Sequence, residues 1–164
     1  MTIKKGIFCL FFLMGIGGLQ AQNNAIEKYF SKYVDDENFT VVYVSPRFFN
    51  IFNRLDLTEM EDEDAQILAD VAKDMKELRV LTTDVNPRKY YDEAKAKINT
   101  KEYEVLMTVR SKKTDMVEIL AKEDGNGMIT ELLLLTGSDS DFILISFVGK
   151  IEVEKVAKLI NQDK

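Results

Sequence analysis

Histidine and tryptophan are absent from this chain of 164 residues, and cysteine occurs once. Without imidazole there is no Ser-His-Asp or Cys-His catalytic arrangement and no histidine-ligated zinc or haem. Nor is there a side chain whose ordinary pKa lies near neutrality. The single cysteine, Cys9, follows bulky Ile7 and Phe8, where a lipid-attachment site needs small residues. It reads as packing within an apolar N-terminal run. Positive charge is also in deficit: 22 basic residues stand against 28 acidic ones, a formal net charge of −6. A net anion has little long-range attraction for nucleic acid or for an anionic lipid surface, so neither is an expected partner.

What is present begins with an address. Lys4 and Lys5 form a cationic start, residues 7–19 are apolar and uncharged, and Leu19-Gln20-Ala21 precedes polar Gln22-Asn23-Asn24. This is the order of a secretory signal, with cleavage predicted after Ala21 and a periplasmic or secreted product. The run is shorter than the roughly 20 residues of a membrane span, and Gly15, Gly17 and Gly18 weaken its second half. An uncleaved N-terminal anchor is the alternative reading. After cleavage no stable membrane span is expected, and the remainder, residues 22–164, would have no cysteine. It could then form no disulfide, and its stability would have to come from buried hydrocarbon within one domain.

Asn24 can cap a helix to about residue 34, with Ile26, Tyr29, Phe30 and Tyr33 on one face, before Asp35-Asp36-Glu37-Asn38 breaks it. Residues 39–44 read as a strand. Ser45-Pro46 suits an N-cap and first helical position, opening a short helix over 47–54 that carries Phe48, Phe49, Ile51 and Phe52. Thr58-Glu59-Met60-Glu61 has capping-box spacing, and a helix over 61–75 would bury Ile67, Leu68, Val71, Ala72 and Met75. A strand over 78–83 and a helix from Asn86-Pro87 to about Asn99 follow, the helix burying Tyr90, Tyr91, Ala94 and Ile98.

The second half changes character. Tyr103, Val105, Met107 and Val109 alternate with Glu104, Leu106, Thr108 and Arg110, the period of a half-buried strand. Strands over 115–122, 128–135 and 142–148 come next, with turns at Lys112-Lys113-Thr114, Asp124-Gly125-Asn126-Gly127 and residues 137–141. A last amphipathic helix over 152–160 places Val153, Val156, Ala157 and Ile160 together. The fold class is α+β: a mixed, mostly antiparallel sheet of about six strands with packed helices, its C-terminal half a four-strand meander followed by a helix. The non-alternating runs Leu132-Leu133-Leu134-Leu135 and Phe142-Ile143-Leu144-Ile145 predict central strands covered on both faces, by helices or by a second copy of the chain. Leu133→Asp and Ile143→Asp are both expected to abolish soluble folding.

Motifs with chemistry in them mostly have plainer explanations. Asp124-Gly125-Asn126-Gly127-Met128-Ile129 mimics the middle of a calcium loop, but its first and twelfth ligand positions would be Lys122 and Leu133, neither a carboxylate. A hairpin turn accounts for it. Glu59, Glu61, Asp62, Glu63 and Asp64 could gather a cation, yet consecutive helical residues point in different directions and a helix N-terminus explains the same charges. Ser45, Ser138 and Ser140 read as cap and turn residues without a nucleophile's partners. No catalytic, cofactor or metal residue is assigned, and no cofactor is expected.

Val41-Val42-Tyr43-Val44-Ser45, Leu78-Arg79-Val80-Leu81-Thr82-Thr83, residues 103–109 and residues 142–151, in this order and spacing, resemble the exported bacterial proteins of domain-of-unknown-function family 4252. The likeness runs from about Tyr29 to Leu159 and rests on strand and turn patterns. It implies a small envelope domain with no assigned activity or cofactor. Some relatives look like lipoproteins, whereas this chain lacks a suitable cysteine after its signal. The expected function is therefore a non-enzymatic binding or regulatory module that meets an envelope protein or ligand, with self-association as a further partner. The alternative is a carboxylate-dependent hydrolase or cation-binding module of the periplasm.

Overall fold

A computed structural model describes residues 25–54, 66, 69, 72–98, 102–111 and 115–152. The leader, the acidic stretch at 59–64, most of the helix expected over 61–75 and the final helix expected over 152–160 lie outside the described residues.

Helix α1 spans Ala25–Tyr33 and buries Ile26, Tyr29, Phe30 and Tyr33, the apolar stripe spaced at helical intervals in the sequence. Strand β1, Thr40–Val44, leads through Ser45 into α2, Pro46–Phe52. The Ser45 side chain accepts a hydrogen bond from the Phe48 amide, and Pro46 sits where its missing N–H costs nothing. Strand β2 spans Met75–Thr83 and starts three residues earlier than residue 78, so Met75 opens a strand instead of closing a helix. Helix α3, Pro87–Lys97, follows Asn86, whose left-handed backbone (φ 49°) turns the chain without a side-chain cap.

The remaining strands are β3 (Glu104–Arg110), β4 (Met116–Glu123), β5 (Ile129–Gly137) and β6 (Phe142–Ile151). Between β4 and β5, Asp124 Oδ1 accepts hydrogen bonds from the Asn126 and Met128 amides, and Gly127 takes a positive φ of 79° that an L side chain adopts with strain. The calcium-like motif is thus the tip of a hairpin. Ser138 Oγ closes the next turn, accepting from the Ser140 and Asp141 amides, as expected of a turn serine.

All six strands form one sheet in the order β1-β2-β6-β5-β4-β3. The four-strand meander is present, and every pairing is antiparallel, including β1 with β2 and β2 with β6. The helices between the early strands therefore make no parallel crossover: the chain leaves β1 and returns beside it in the opposite direction.

Register fixes what each face carries. Leu81, Leu144, Leu135 and Glu118 align across four strands on one face, flanked by Phe142, Leu133 and Leu120. These apolar residues are buried, and α1 and α3 pack against this side. Over it, Tyr29, Tyr33, Phe39, Tyr90 and Phe142 interlock, mostly edge to face, with ring centres 4.7–6.4 Å apart. Tyr29 Oη donates to the Tyr90 carbonyl at 2.9 Å and ties α1 to α3. Gly137 lies directly beneath Tyr91, whose ring atoms would be 2.6 Å from a Cβ at that position.

The opposite face carries Val80, Ile145, Leu134 and Ile119 in one aligned row, with Leu78, Phe147, Ile143 and Val117 beside it. All are only half-buried. The expectation of central strands holds for β5 and β6, but the expectation of full cover holds on one face only among the described residues. Alternation reappears accordingly: Leu133 and Leu135 are buried, while Leu132 and Leu134 are partly open.

Candidate functional site

Strand β3 is the outermost strand on the meander side and pairs only with β4. The described helices α1, α2 and α3 reach β2, β5 and β6 but make no substantial contact with β3. As a result all seven residues of β3 are exposed, including Val105 at 49%, Leu106 at 50%, Met107 at 42% and Val109 at 49%. This corrects the half-buried strand expected there: the alternation is present, but among the described residues nothing packs over either face of β3 to enforce it.

An edge strand offers a row of unpaired backbone donors and acceptors to any further strand, and natural proteins blunt such edges with charge, proline or bulges. In β3 the charges sit only at the ends, Glu104 and Arg110, and proline is absent. One irregularity is present, because Val105 pairs with Leu120 and Met107 with Ile119, leaving Leu106 as an extra residue. Beyond it the strand is regular to Arg110, opposite Met116. Met107 and Val109 thereby continue the half-buried face through Ile119 and Val117, so the exposed edge and the open face form one apolar surface.

A smaller apolar area lies at the other edge. Val42 and Tyr43 of β1 are exposed, as are Phe48 and Ile51 of α2, and only Phe49 of that helix is buried. Phe48 stacks on Phe52 at 6.3 Å between ring centres.

The ionisable groups are tied into the fold. Glu131 is buried, accepting from Ser146 Oγ at 2.6 Å and from Tyr103 Oη at 2.7 Å. Glu118, also buried, pairs with Lys95, and burial raises the pKa of the neighbouring Tyr91. Glu93 pairs with Lys32 and accepts from Tyr33 Oη, and the Lys32 ammonium holds its carboxyl below the ordinary range. Arg79, itself buried, pairs with Glu77 at 2.8 Å. Each carboxylate oxygen of Glu131 thus accepts one short hydrogen bond inside the core, which ties β5 to β6 and to Tyr103.

Among the described residues the surface carries shallow depressions, two of which are lined by charged and polar side chains. One of about 290 Å³ between α1 and α3 is lined by Lys28, Tyr29, Lys32 and Glu93, and the other, of about 370 Å³, by Asp115, Thr136, Ser138 and Asp141. Ser138 donates to Asp141 Oδ1 at 2.7 Å within its own turn, which is a structural role and not that of an activated nucleophile. Among the described residues no three side chains of metal-binding type gather in one place, and no helix is long and apolar enough to cross a membrane. The β3 surface was missed by the sequence reasoning. Its signal was Val105-Leu106-Met107, three apolar residues in succession that a one-sided strand would not need.

The family described as Domain of unknown function (DUF4252) matches this chain over residues 30–159, close to the span over which the strand patterns suggested it. Neither the curated proteins nor the solved structures give a match.

Proposed function

Because the chain belongs to the DUF4252 family, whose description assigns no activity, we propose its function from the surface it presents: an exported binding or regulatory module that docks an envelope component without catalysis. One observation carries this reading. Four large apolar side chains stand 42–50% exposed on an edge strand that, among the described residues, pairs on one side only and offers its other side to a further strand. Strand addition draws affinity from main-chain hydrogen bonds and specificity from alternate side chains, and β3 supplies both. The export half of the proposal rests on Lys4, Lys5 and the uncharged run over 7–19.

Its test is capture from the cell envelope with the full chain carrying its own leader, compared with Val109→Lys, a change at an exposed position that should leave melting unchanged. A stoichiometric component held by the unchanged chain and lost with Val109→Lys supports the reading. Equal capture by both, or a chain retained in the cytosol, overturns it. The rival, a carboxylate-dependent hydrolase or cation-binding module, predicts a rise in melting temperature with calcium or glycans. It also predicts turnover that one Asp or Glu substitution removes.

A further inference from the structure

We propose that the depression between α1 and α3 is a binding site for a phosphate monoester, its phosphoryl group held between Lys28 and Lys97 and its apolar body resting against Tyr29. The site is separate from the docking surface above, since β3 contributes no residue to this cavity. Charge is the first observation. Although the chain carries a net charge of −6, α1 has two basic residues against one acidic, and α3 has four against two. Three of these cations, Lys28, Lys32 and Lys97, line the same cavity of about 290 Å³, where Glu93 supplies one carboxylate. Glu93 is committed at one end: Oε1 accepts from Lys32 Nζ, and Oε2 accepts from Tyr33 Oη at 2.7 Å. Among the described residues the side chains of Lys28 and Lys97 make no ion pair and no hydrogen bond. Lys97 has a reason within the fold, because a cation in the last turn suits the negative end of a helix. Lys28 has none: it is the fourth residue of α1, near the positive end, and one turn from Lys32 on the same face, where like charges repel. An anion that comes to it accounts for a cation the helix does not need.

The cavity sets the size and charge of its ligand. Small-molecule sites run from about 300 to about 1,000 Å³, so this one suits a compact molecule and not a polymer. Two unmatched ammoniums call for two negative charges, and a phosphate monoester carries about −1.5 to −2 near neutral pH where a carboxylate carries one. Lysines hold phosphate as point charges on flexible stems and need no fixed fork. Tyr29 is buried between the helices and donates its Oη to the Tyr90 carbonyl at 2.9 Å, so it offers a ligand ring surface and not a hydroxyl proton. A soluble phosphate ester and the headgroup of a phosphomonoester lipid share this chemistry.

Calorimetric titration of the full chain with phenyl phosphate should show saturable binding, with benzoate roughly fivefold weaker. Lys28→Gln and Lys97→Gln should each weaken phenyl phosphate roughly fivefold, whereas Lys76→Gln, at an exposed position of β2, should leave it unchanged. Melting separates binding from folding: Lys28→Gln should melt at or slightly above the parent, because it removes a repulsion and no bond. Sedimentation with phosphatidylcholine vesicles containing phosphatidic acid identifies the source of the phosphate. Lys28-dependent capture on those vesicles without phenyl phosphate binding assigns it to a lipid, and the reverse assigns it to a soluble ester. Neither signal overturns the proposal, as does benzoate bound as tightly as phenyl phosphate or an equal loss with Lys76→Gln. Val109→Lys should bind phenyl phosphate as the parent does, so failure at this cavity leaves the β3 reading standing.

Discussion

Strands β5 and β3 belong to the same meander and are comparably rich in aliphatic residues, yet Leu133 of β5 is fully buried and Leu106 of β3 is half exposed. Composition does not separate them; place in the sheet does. β5 lies between β4 and β6 with helix α3 in contact, whereas among the described residues β3 has one neighbour and no helix over it. A leucine in the first setting exchanges water for protein on every side. In the second it keeps much of its hydration, and its contribution is deferred to whatever covers it.

The contrast is broken most violently at Leu133. Leu133→Asp would bury a carboxylate with no partner at the centre of the core and should abolish soluble expression, whereas Leu106→Asp should express and melt normally. Even Leu133→Ala should cost about 2–5 kcal/mol in urea denaturation, because the rigid surroundings cannot close the space. Ile143→Asp should be milder than Leu133→Asp, unlike the equal loss the apolar runs predict, since Ile143 lies on the half-buried face. Equal losses at Leu133 and Leu106 would remove the distinction between centre and edge.

Next in size is Gly137→Ala, where the new methyl meets the Tyr91 ring at 2.6 Å. A cost of about 1–3 kcal/mol is expected, with Gly125→Ala near zero because nothing lies within 4 Å of that position. Acid sharpens the comparison further. Lys32 lowers the Glu93 carboxyl below its ordinary value of 4.5, so this stabilisation is fully present above that pH and lost as pH falls through the lower folded value. As pH falls below 4.5 the parent should therefore lose more stability than Glu93→Gln. Smallest of all, Val109→Thr should change folding stability by less than about 0.5 kcal/mol while measurably weakening any association through β3. A destabilised monomer would show that β3 is already covered within its own chain.

Much of the fold was legible because its signals are local. Ser45-Pro46 marks a helix start, Asp124 to Gly127 a hairpin, and Tyr29, Tyr33, Tyr90 and Ala94 recur at helical steps, all as found. The exposure of β3 was not legible, since alternation states which side chains share a face and says nothing of whether a neighbour exists. Nor was the buried group of Glu131, Ser146 and Tyr103 foreseen. Its members are separated by 15 and 28 positions, and only the register of β5 and β6 with the packing of Tyr103 brings them together. The surplus of acidic residues pointed toward solvent and gave no hint that two glutamates face inward.

The strand order has a temporal consequence. The meander's contacts join consecutive strands and can close as soon as each hairpin exists, but β2 finds its inner neighbour in β6, whose paired residues lie 59 to 74 positions downstream. A polypeptide made from its N-terminus thus carries β1 and β2 as an unfinished ribbon until residues 142–151 arrive. That ribbon stays open until then, and among the described strands the last one delivered is the one that closes the sheet.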